Sequence, residues 1–365
     1  MKFYVVTILA AFLLITGASP ALAAPETLGR IQRSRGTVKR TDVEKVKAGV
    51  ASGDPVYRGT RFTTGSDGNV EIKLTNGSLM RIRSNSSLQL SPTKRRRKKK
   101  NSVVLFFGRV WSSISKAAGA DENYEVATPT AVAGVRGTEF ETAVAPDGSV
   151  RVRVDEGRVA VADGGVSRDV KRGQRVDGDV GGLGKTGKAG KKPQWDSWQE
   201  DRTERVKKEG PEVMRQMKGR IEARRQRLET LESRRKELEA QLSKWERQGR
   251  LGDPRAAPKI AEINEELSEV LDEIADISDA TRSQFGYVGY LAELADDPRF
   301  GMIGAEDLKR EAATLIKLKR QFDAFESIGK DMSIKGMDQI LDDARGGKRD
   351  TLREEKGSVK DLFGD

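Results

Sequence analysis

The spacing of apolar residues changes once along this 365-residue chain, and that change constrains the fold more than any single motif. Up to about residue 180, apolar and polar residues alternate in short runs such as Val70-Glu71-Ile72-Lys73-Leu74. Beyond residue 195, apolar residues return at intervals of three and four. Alternation is typical of strands with one buried face, and the longer interval is typical of helices. We therefore predict an α+β protein in two parts, with an all-β part followed by a helical part.

The first part is predicted to be β-structure over residues 30–180. Its alternating runs are separated by Gly, Asn and Asp, which are turn formers. Asn76-Gly77 stands between two such runs and predicts a hairpin with a type I′ turn, because both central residues of that turn need positive φ. Many short strands with closely spaced turns favour a β-solenoid or a sandwich-like fold, and the sequence leaves both open.

The block from Thr128 to Phe140 resembles the signature of the FecR-type domain. The similarity extends over residues 30–180 and implies a β-solenoid-like module in the periplasm or outside the cell. Members of that family include envelope signalling proteins that relay a transporter's state to a sigma factor. We find no segment that resembles their anti-sigma, transmembrane or secretin/TonB short domains. We therefore expect this chain to share the fold and the cellular compartment of that family.

Eight positions of this block are interpreted as structural. Gly134 and Gly137 are expected to supply positive φ or a close approach of the backbone. Arg136 carries a rigid fork of donors that suits turn carbonyls or a carboxylate, and its alternative role is to hold an anionic ligand. The eight positions are Thr128, Pro129, Gly134, Val135, Arg136, Gly137, Thr138 and Phe140.

Residues 1–23 have the pattern of a secretory signal peptide. Lys2 precedes an apolar run, and Ala21-Leu22-Ala23 places small residues where a signal peptidase reads them. An uncleaved membrane anchor is the alternative. The pattern predicts export by the general secretion route, a periplasmic or extracellular location, and a mature chain that does not span the membrane.

Residues 181–194 are rich in Gly and Lys and are predicted to be a flexible linker between two independent bodies. The Trp195 and Trp198 pair that follows is expected to dock the first helix onto the β part. A coiled-coil hairpin is predicted over residues 195–298, because apolar heptads stand on both sides of a Gly/Pro-rich turn. Its first helix is basic and its second acidic, which favours pairing within one chain, although the same charges would serve a homo-oligomer.

Three further features complete the helical part. The aromatic and glycine-containing stretch from Phe285 to Tyr290 is predicted to break the second helix. A third helix is predicted over residues 305–328, and it would turn the hairpin into a three-helix bundle. Residues 331–365 are predicted to be a polar tail.

The chain contains neither Cys nor His, and this composition excludes several kinds of chemistry. Disulfides, Cys/His zinc sites and Cys- or Ser–His nucleophile pairs are all ruled out. We see no phosphate-cradling loop and no nucleophile–base pair, so we expect no enzymatic activity, no cofactor and no metal. Asp67-Gly68-Asn69 and Asp163-Gly164 are interpreted as turns, with Ca²⁺ binding as the alternative.

The net charge of +11 favours polyanionic surroundings. Seven consecutive cations lie between two predicted strands and are interpreted as a solvated hairpin loop, with polyanion binding as the alternative. They are Lys94, Arg95, Arg96, Arg97, Lys98, Lys99 and Lys100. An exported protein has little access to nucleic acid, so none is expected as a partner.

The sequence as a whole predicts an exported, non-enzymatic envelope protein. Its FecR-type β domain would bind a protein or glycan partner, and its coiled coil would scaffold or oligomerise. The alternatives are a periplasmic sensor component related to FecR-type regulators and a surface protein that binds polyanions through residues 94–100.

Overall fold

The computed structural model of the protein describes residues 27–42, 49–90, 100–115, 123–135, 137–190, 194–250 and 253–331. Strands occupy the first half of the chain and three helices the second, so the predicted two-part α+β fold is confirmed. The strands are β1 (Thr27–Arg35), β2 (Val38–Thr41), β3 (Pro55–Tyr57), β4 (Arg61–Thr64), β5 (Asn69–Leu74), β6 (Leu79–Ile82), β7 (Ser87–Leu90), β8 (Lys100–Ser113), β9 (Asn123–Ala127), β10 (Val132–Val135), β11 (Glu139–Val144), β12 (Val150–Glu156), β13 (Arg158–Asp163), β14 (Val166–Lys171), β15 (Gln174–Asp179) and β16 (Gly182–Lys188).

These strands form two layers that share the long strand β8. The first layer has the order β3-β1-β5-β6-β8-β11-β12-β15-β16, and the second has the order β2-β4-β7-β8-β9-β10-β13-β14. Gly108 stands where β8 passes from the second layer to the first, with φ of +88°. A Cβ at Gly108 would lie 2.4 Å from the Cα of Ser86, so this crossing requires glycine.

The pairing of the strands decides between the two architectures that the sequence left open. Among the described strands only β8 and β9 pair in parallel. A β-solenoid would stack its strands in parallel, so the antiparallel pairing elsewhere favours the sandwich-like alternative. Inward side chains of both layers meet in one apolar core, which includes Ile31, Ile72, Phe140 and Val152 from the first layer and Phe62, Leu105, Val126 and Val161 from the second.

The predicted hairpin around Asn76-Gly77 is present as β5 and β6, with Val70 opposite Ile82. Its turn is not of type I′, because Gly77 has φ of +84° whereas Asn76 does not have positive φ. The connection is longer than two residues, and the amide of Ser78 donates to the Asn76 side chain at 3.1 Å. Asn76 therefore shapes this turn through its side chain.

The helices are α1 (Trp195–Arg247), α2 (Ala257–Asp296) and α3 (Ala305–Asp331), and they pack together as a three-helix bundle. α1 and α2 form an antiparallel hairpin with an apolar seam that includes Leu231, Leu238, Ile263 and Leu267. The basic and acidic faces pair within the chain as expected. Arg227 contacts Glu273 at 2.7 Å, and Arg234 contacts Glu266 at 2.6 Å.

The break predicted between Phe285 and Tyr290 is absent, because α2 continues through this stretch. Two of its aromatic side chains, Phe285 and Tyr287, are buried. Phe285 meets Phe322 of α3 edge to face at 5.3 Å, and Tyr287 is fully buried. These tertiary contacts override the low helix propensity of the two glycines in the stretch.

Half of the predicted linker is a strand. β16 pairs with β15, and its register runs from Gln174 opposite Lys188 to Asp179 opposite Gly182. Its side chains are largely exposed, and the exposed lysines are typical of an edge strand. Composition alone could not separate such an edge strand from a flexible tether.

Several sequence predictions lie outside the described residues. They concern residues 1–23, 94–99, 332–365 and Arg136; Lys100 begins β8. Within the described ranges, no helix has the length and apolarity that crossing a bilayer requires.

Candidate functional site

The helices dock onto one end of the β part, where several strand connections meet. Arg220 of α1 joins two of these connections and the end of β13. Its guanidinium donates to both carboxylate oxygens of Asp163 at 2.7 and 2.8 Å, and its Nε donates to the Val180 carbonyl at 2.7 Å. It also donates to the Thr130 carbonyl at 3.4 Å. A planar guanidinium with five donors can satisfy such a convergent set of acceptors, which an ammonium group could not.

The connection between β11 and β12 is held in the same way. Asp147 is fully buried there, and its carboxylate accepts hydrogen bonds from the Ser149 amide at 3.0 Å and hydroxyl at 2.9 Å. Arg205 of α1 contacts the same carboxylate at 3.3 Å. Burial raises the pKa of Asp147 from its ordinary value, although the bonds from Ser149 and the charges of Arg202 and Arg205 oppose that shift.

The first helical turn of α1 covers part of the outer face of the first layer. Trp195 and Trp198 are buried against Ala143 and Ala145 of β11 and its connection. The Arg151 guanidinium lies 4.7 Å from the centre of the Trp198 ring, which is close enough for a cation–π contact. The docking role expected for this tryptophan pair is therefore confirmed.

The block that resembles the FecR-type signature supplies another contact with the helices. Thr128 closes its turn by donating to the Ala131 carbonyl at 2.7 Å and accepting from the Ala131 amide at 3.0 Å. The Pro129 carbonyl of this turn accepts a buried hydrogen bond from the Gln284 side chain of α2 at 3.1 Å. The start of the block thus positions α2.

The remaining positions of the block lie inside the β part. Gly137 has φ of +61°, as expected, but Gly134 does not have positive φ, and a Cβ at Gly134 would meet no atom closer than 3.9 Å. The expectation for Gly134 is wrong because this residue lies in regular strand β10, between two strands that leave room. Thr138 donates to the Arg158 carbonyl at 2.9 Å, whereas Val135 and Phe140 are buried in the core.

A cleft of about 500 Å³ lies between the second layer and the helices α2 and α3. It is built by a close approach of α2 to β8, since a Cβ at Gly286 would lie 2.0 Å from the Phe106 ring. Its lining includes Arg61, Phe106, Phe107, Gly289, Tyr290 and Glu293. A space of this size between two parts of a molecule is typical of ligand-binding clefts.

The aromatic side chains of the cleft are already engaged with one another and with a cation. The Phe107 and Tyr290 rings stack with centroids 4.1 Å apart and planes 18° apart. The Arg61 guanidinium lies 4.2 Å from the centre of the Phe106 ring, and its Nε donates to the Ser87 hydroxyl at 3.0 Å. The positions of these side chains are therefore fixed before any ligand arrives.

Burial shifts the pKa of two side chains that line the cleft. It lowers the pKa of Arg61, and the nearby Glu293 carboxylate opposes that shift. Burial and then Glu293 raise the pKa of Tyr290 to about 12. The cleft is thus lined by the basic side chains of Arg61, Arg282 and Lys319, the acidic side chains of Asp42 and Glu293, and an uncharged phenol beside an apolar floor. Gly289 opens onto free space, since a Cβ there would meet nothing within 4 Å.

The structure gives no support for metal binding at the turns considered from the sequence. The Asp163 carboxylate accepts hydrogen bonds from Arg220, and the Asp67 carboxylate accepts a hydrogen bond from the Thr37 amide at 3.1 Å. Among the described residues, no group of three or more Asp or Glu side chains is arranged to hold a metal ion.

Sequence reasoning missed the cleft because its walls come from distant parts of the chain. Arg61, Phe106 and Tyr290 are brought together only by the docking of α2 on the second layer. The available signal is the aromatic stretch from Phe285 to Tyr290, which by sequence alone predicts an interruption of the helix. Its aromatic side chains are instead divided between the bundle core and the cleft.

Two crystal structures of a proposed anti-sigma factor from Parabacteroides distasonis are similar to this chain, each at 14% identity and a TM-score of 0.29. Each match covers 33% of this chain and 54% of that protein, so this chain spans about half the length of those structures. No curated protein sequence matches the chain. The family model described as FecR protein matches residues 60–160, and we conclude that this chain contains a FecR-type domain, as its Thr128–Phe140 block predicted.

Proposed function

We propose that this protein is an exported, non-enzymatic relative of FecR-type regulators whose cleft binds an extended segment of a partner protein. Export is proposed from the leader pattern of residues 1–23. The observation that supports the binding role is the cleft itself, which combines an apolar floor with the Arg61 cation and the Glu293 carboxylate.

The chemistry of the cleft favours a polypeptide over a glycan. A sugar ring binds best on a free aromatic face, but Phe107 and Tyr290 stack on each other and Arg61 covers Phe106. A polypeptide offers apolar side chains together with charges of both signs. Such charges can pair with Arg61 and Glu293, while an apolar side chain fills the space above Gly289.

The helical part would serve as the scaffold of this site. α2 supplies Gly289, Tyr290 and Glu293, and α1 holds the bundle on the β part through Arg220 and Asp163. The FecR-type domain supplies the opposite wall with Arg61 and Phe106. The proposed binding site therefore requires both parts of the chain.

A side chain that fills the cleft tests this proposal. Gly289→Phe places a ring in the free space of the cleft without positive φ, so the helix should tolerate it. Gly219→Phe is the matched control, because Gly219 is an exposed helical glycine of α1 with equally open surroundings. Tagged full-length protein and both variants are recovered from the native envelope after cross-linking.

We expect the parent and Gly219→Phe to recover the same partner and Gly289→Phe to lose it, while circular dichroism shows that all three fold alike. Recovery of that partner by folded Gly289→Phe at the parent level would refute the assignment of the cleft. Loss by both variants would mean that the binding surface is not the cleft.

A further inference from the structure

The outer face of the first layer carries a row of charged and aromatic side chains that crosses neighbouring strands. Arg33 of β1 lies opposite Glu71 of β5, which lies opposite Arg81 of β6, and Arg81 lies opposite Trp111 of β8. Because side chains two residues apart share a face of a strand, Arg35 and Arg83 flank this row on the same side of the sheet.

This part of the face is concave and strongly cationic. A groove of about 330 Å³ is lined by Arg33, Arg35, Asn69, Glu71, Arg81 and Arg83, which places four guanidinium groups beside one carboxylate. Arg81 donates to Glu71 at 2.6 Å and stacks over Trp111 at 4.5 Å, so one cation neutralises that carboxylate. The lining of the groove therefore carries an excess of three positive charges.

Arg33 and Arg35 of β1 are the most available of these cations. Arg33 and Arg35 are exposed, and neither forms an ion pair with a described residue. Arg83 is partly compensated, since its Nε lies 3.5 Å from the buried Glu141 carboxylate. Like charges that line one groove repel each other, so an anion bound there would relieve an existing electrostatic cost.

We propose that this groove binds an anionic polysaccharide, through bidentate contacts of Arg33 and Arg35 with the carboxylates of successive sugars. Neighbouring strands lie about 4.8 Å apart, so the cations on β1 and β6 span roughly 10 Å across β5. A single small anion cannot reach both sides, whereas a repeating polyanion can. The planar fork of arginine matches a carboxylate.

The same face is less suited to other polyanions. Membrane insertion requires exposed apolar anchors, and the exposed large apolar residues of the described chain, Val166, Ile303 and Ile316, lie outside the groove. Single-stranded nucleic acid binds by stacking its bases on free aromatic faces. Trp111 is the aromatic residue of this row, and Arg81 covers one face of its ring.

This site is independent of the proposed function, because it lies on the first layer whereas the cleft lies against the second. The probe is fluorescein-labelled polygalacturonate, with neutral dextran as the blank. The test variant is Arg33→Gln/Arg35→Gln in the full-length chain. The control is Lys171→Gln/Arg172→Gln, which removes the same charge at two exposed positions, the last residue of β14 and the residue after it.

We expect the parent to bind polygalacturonate but not dextran, with an affinity that falls as salt is raised. Arg33→Gln/Arg35→Gln should bind about tenfold more weakly, and the control should retain parent affinity. Gly289→Phe should also bind like the parent, which separates this site from the cleft.

Three results would overturn the proposal. Equal weakening in both double variants would show that net charge alone drives binding. Undiminished binding by Arg33→Gln/Arg35→Gln would place the site elsewhere, for example at residues 94–100. Tighter binding to phosphatidylglycerol vesicles or to single-stranded DNA than to polygalacturonate would assign the groove to another class of partner.

Discussion

Two glycines of α2, three residues apart, have opposite surroundings. A Cβ at Gly286 would lie 2.0 Å from the Phe106 ring, whereas a Cβ at Gly289 would meet nothing within 4 Å. We expect Gly286→Ala to lower the free energy of unfolding by about 1–3 kcal/mol through overpacking. Gly289→Ala should raise it by up to about 1 kcal/mol, because alanine favours the helix. Urea titration of both variants measures the difference, and equal effects would contradict the close approach of α2 to β8.

The buried carboxylate of Asp147 should make stability depend on pH. Burial raises its pKa in the folded protein, so the folded state disfavours the charged form relative to the unfolded state. The stability that Asp147 contributes is therefore fully present below its unfolded pKa of about 4 and is lost as pH rises through the raised folded value. We expect the stability of the parent, measured relative to Asp147→Asn, to fall as pH is raised from below about 4. A difference that grows with pH would mean that Arg202 and Arg205 outweigh the cost of burial.

At the scale of single residues, the sequence could identify unusual positions but not their causes. Gly134 and Gly137 were assigned the same role, yet only Gly137 has positive φ. The sequence places Gly286 in a predicted break of the helix, whereas in the structure the Phe106 ring leaves no room for a Cβ at this position. Whether a position requires glycine depends on the atoms that a Cβ would meet there, and at Gly286 those atoms belong to Phe106, which is far away in the sequence.

At the scale of elements, Arg220 is one of the side chains that tie α1 to the β part. Its pair with Asp163 is largely buried, at 18% and 7% side-chain exposure. Arg220→Met would leave the Asp163 carboxylate without its partner, and we expect a loss of about 3 kcal/mol in unfolding free energy. Arg215→Met on the same helix is the control, since its pair with Glu212 is half exposed and should cost less than about 0.5 kcal/mol. Equal losses in chemical denaturation would refute the anchoring role.

The elements that sequence reasoning predicted are those fixed by local signals. The β5–β6 hairpin follows from alternation on both sides of Asn76-Gly77, and the α1–α2 hairpin follows from heptads on both sides of a Gly/Pro-rich turn. β16 was missed because its Gly and Lys residues carry no alternation, and its strand form comes from pairing with β15. The predicted turn type of the β5–β6 hairpin is also wrong. The Asn-Gly pair does not predict the hydrogen bond from the Ser78 amide to the Asn76 side chain that shapes the longer connection.

At the scale of the whole molecule, the expected independence of the two parts is wrong. Ser283 and Gln284 of α2 donate to the Leu105 and Pro129 carbonyls at 2.8 and 3.1 Å, and Tyr287 donates to the Pro146 carbonyl at 3.0 Å. The composition of a linker predicts how flexible that segment is, but it does not predict whether the two domains on either side of it pack against each other. Those surfaces are complementary here, and the docking creates the cleft.

Because the two parts share this interface, we expect them to unfold as one cooperative unit. Scanning calorimetry of the full-length protein should show a single transition. Arg220→Met should lower the midpoint of that whole transition by roughly 5 °C or more, whereas Arg215→Met should leave it nearly unchanged. A chain that ends before residue 195 would expose Val104, Phe106 and Ala127 of the β part, so it should melt at a lower temperature or aggregate. Two transitions in the parent, with Arg220→Met moving only the helical one, would instead restore the picture of two independent bodies.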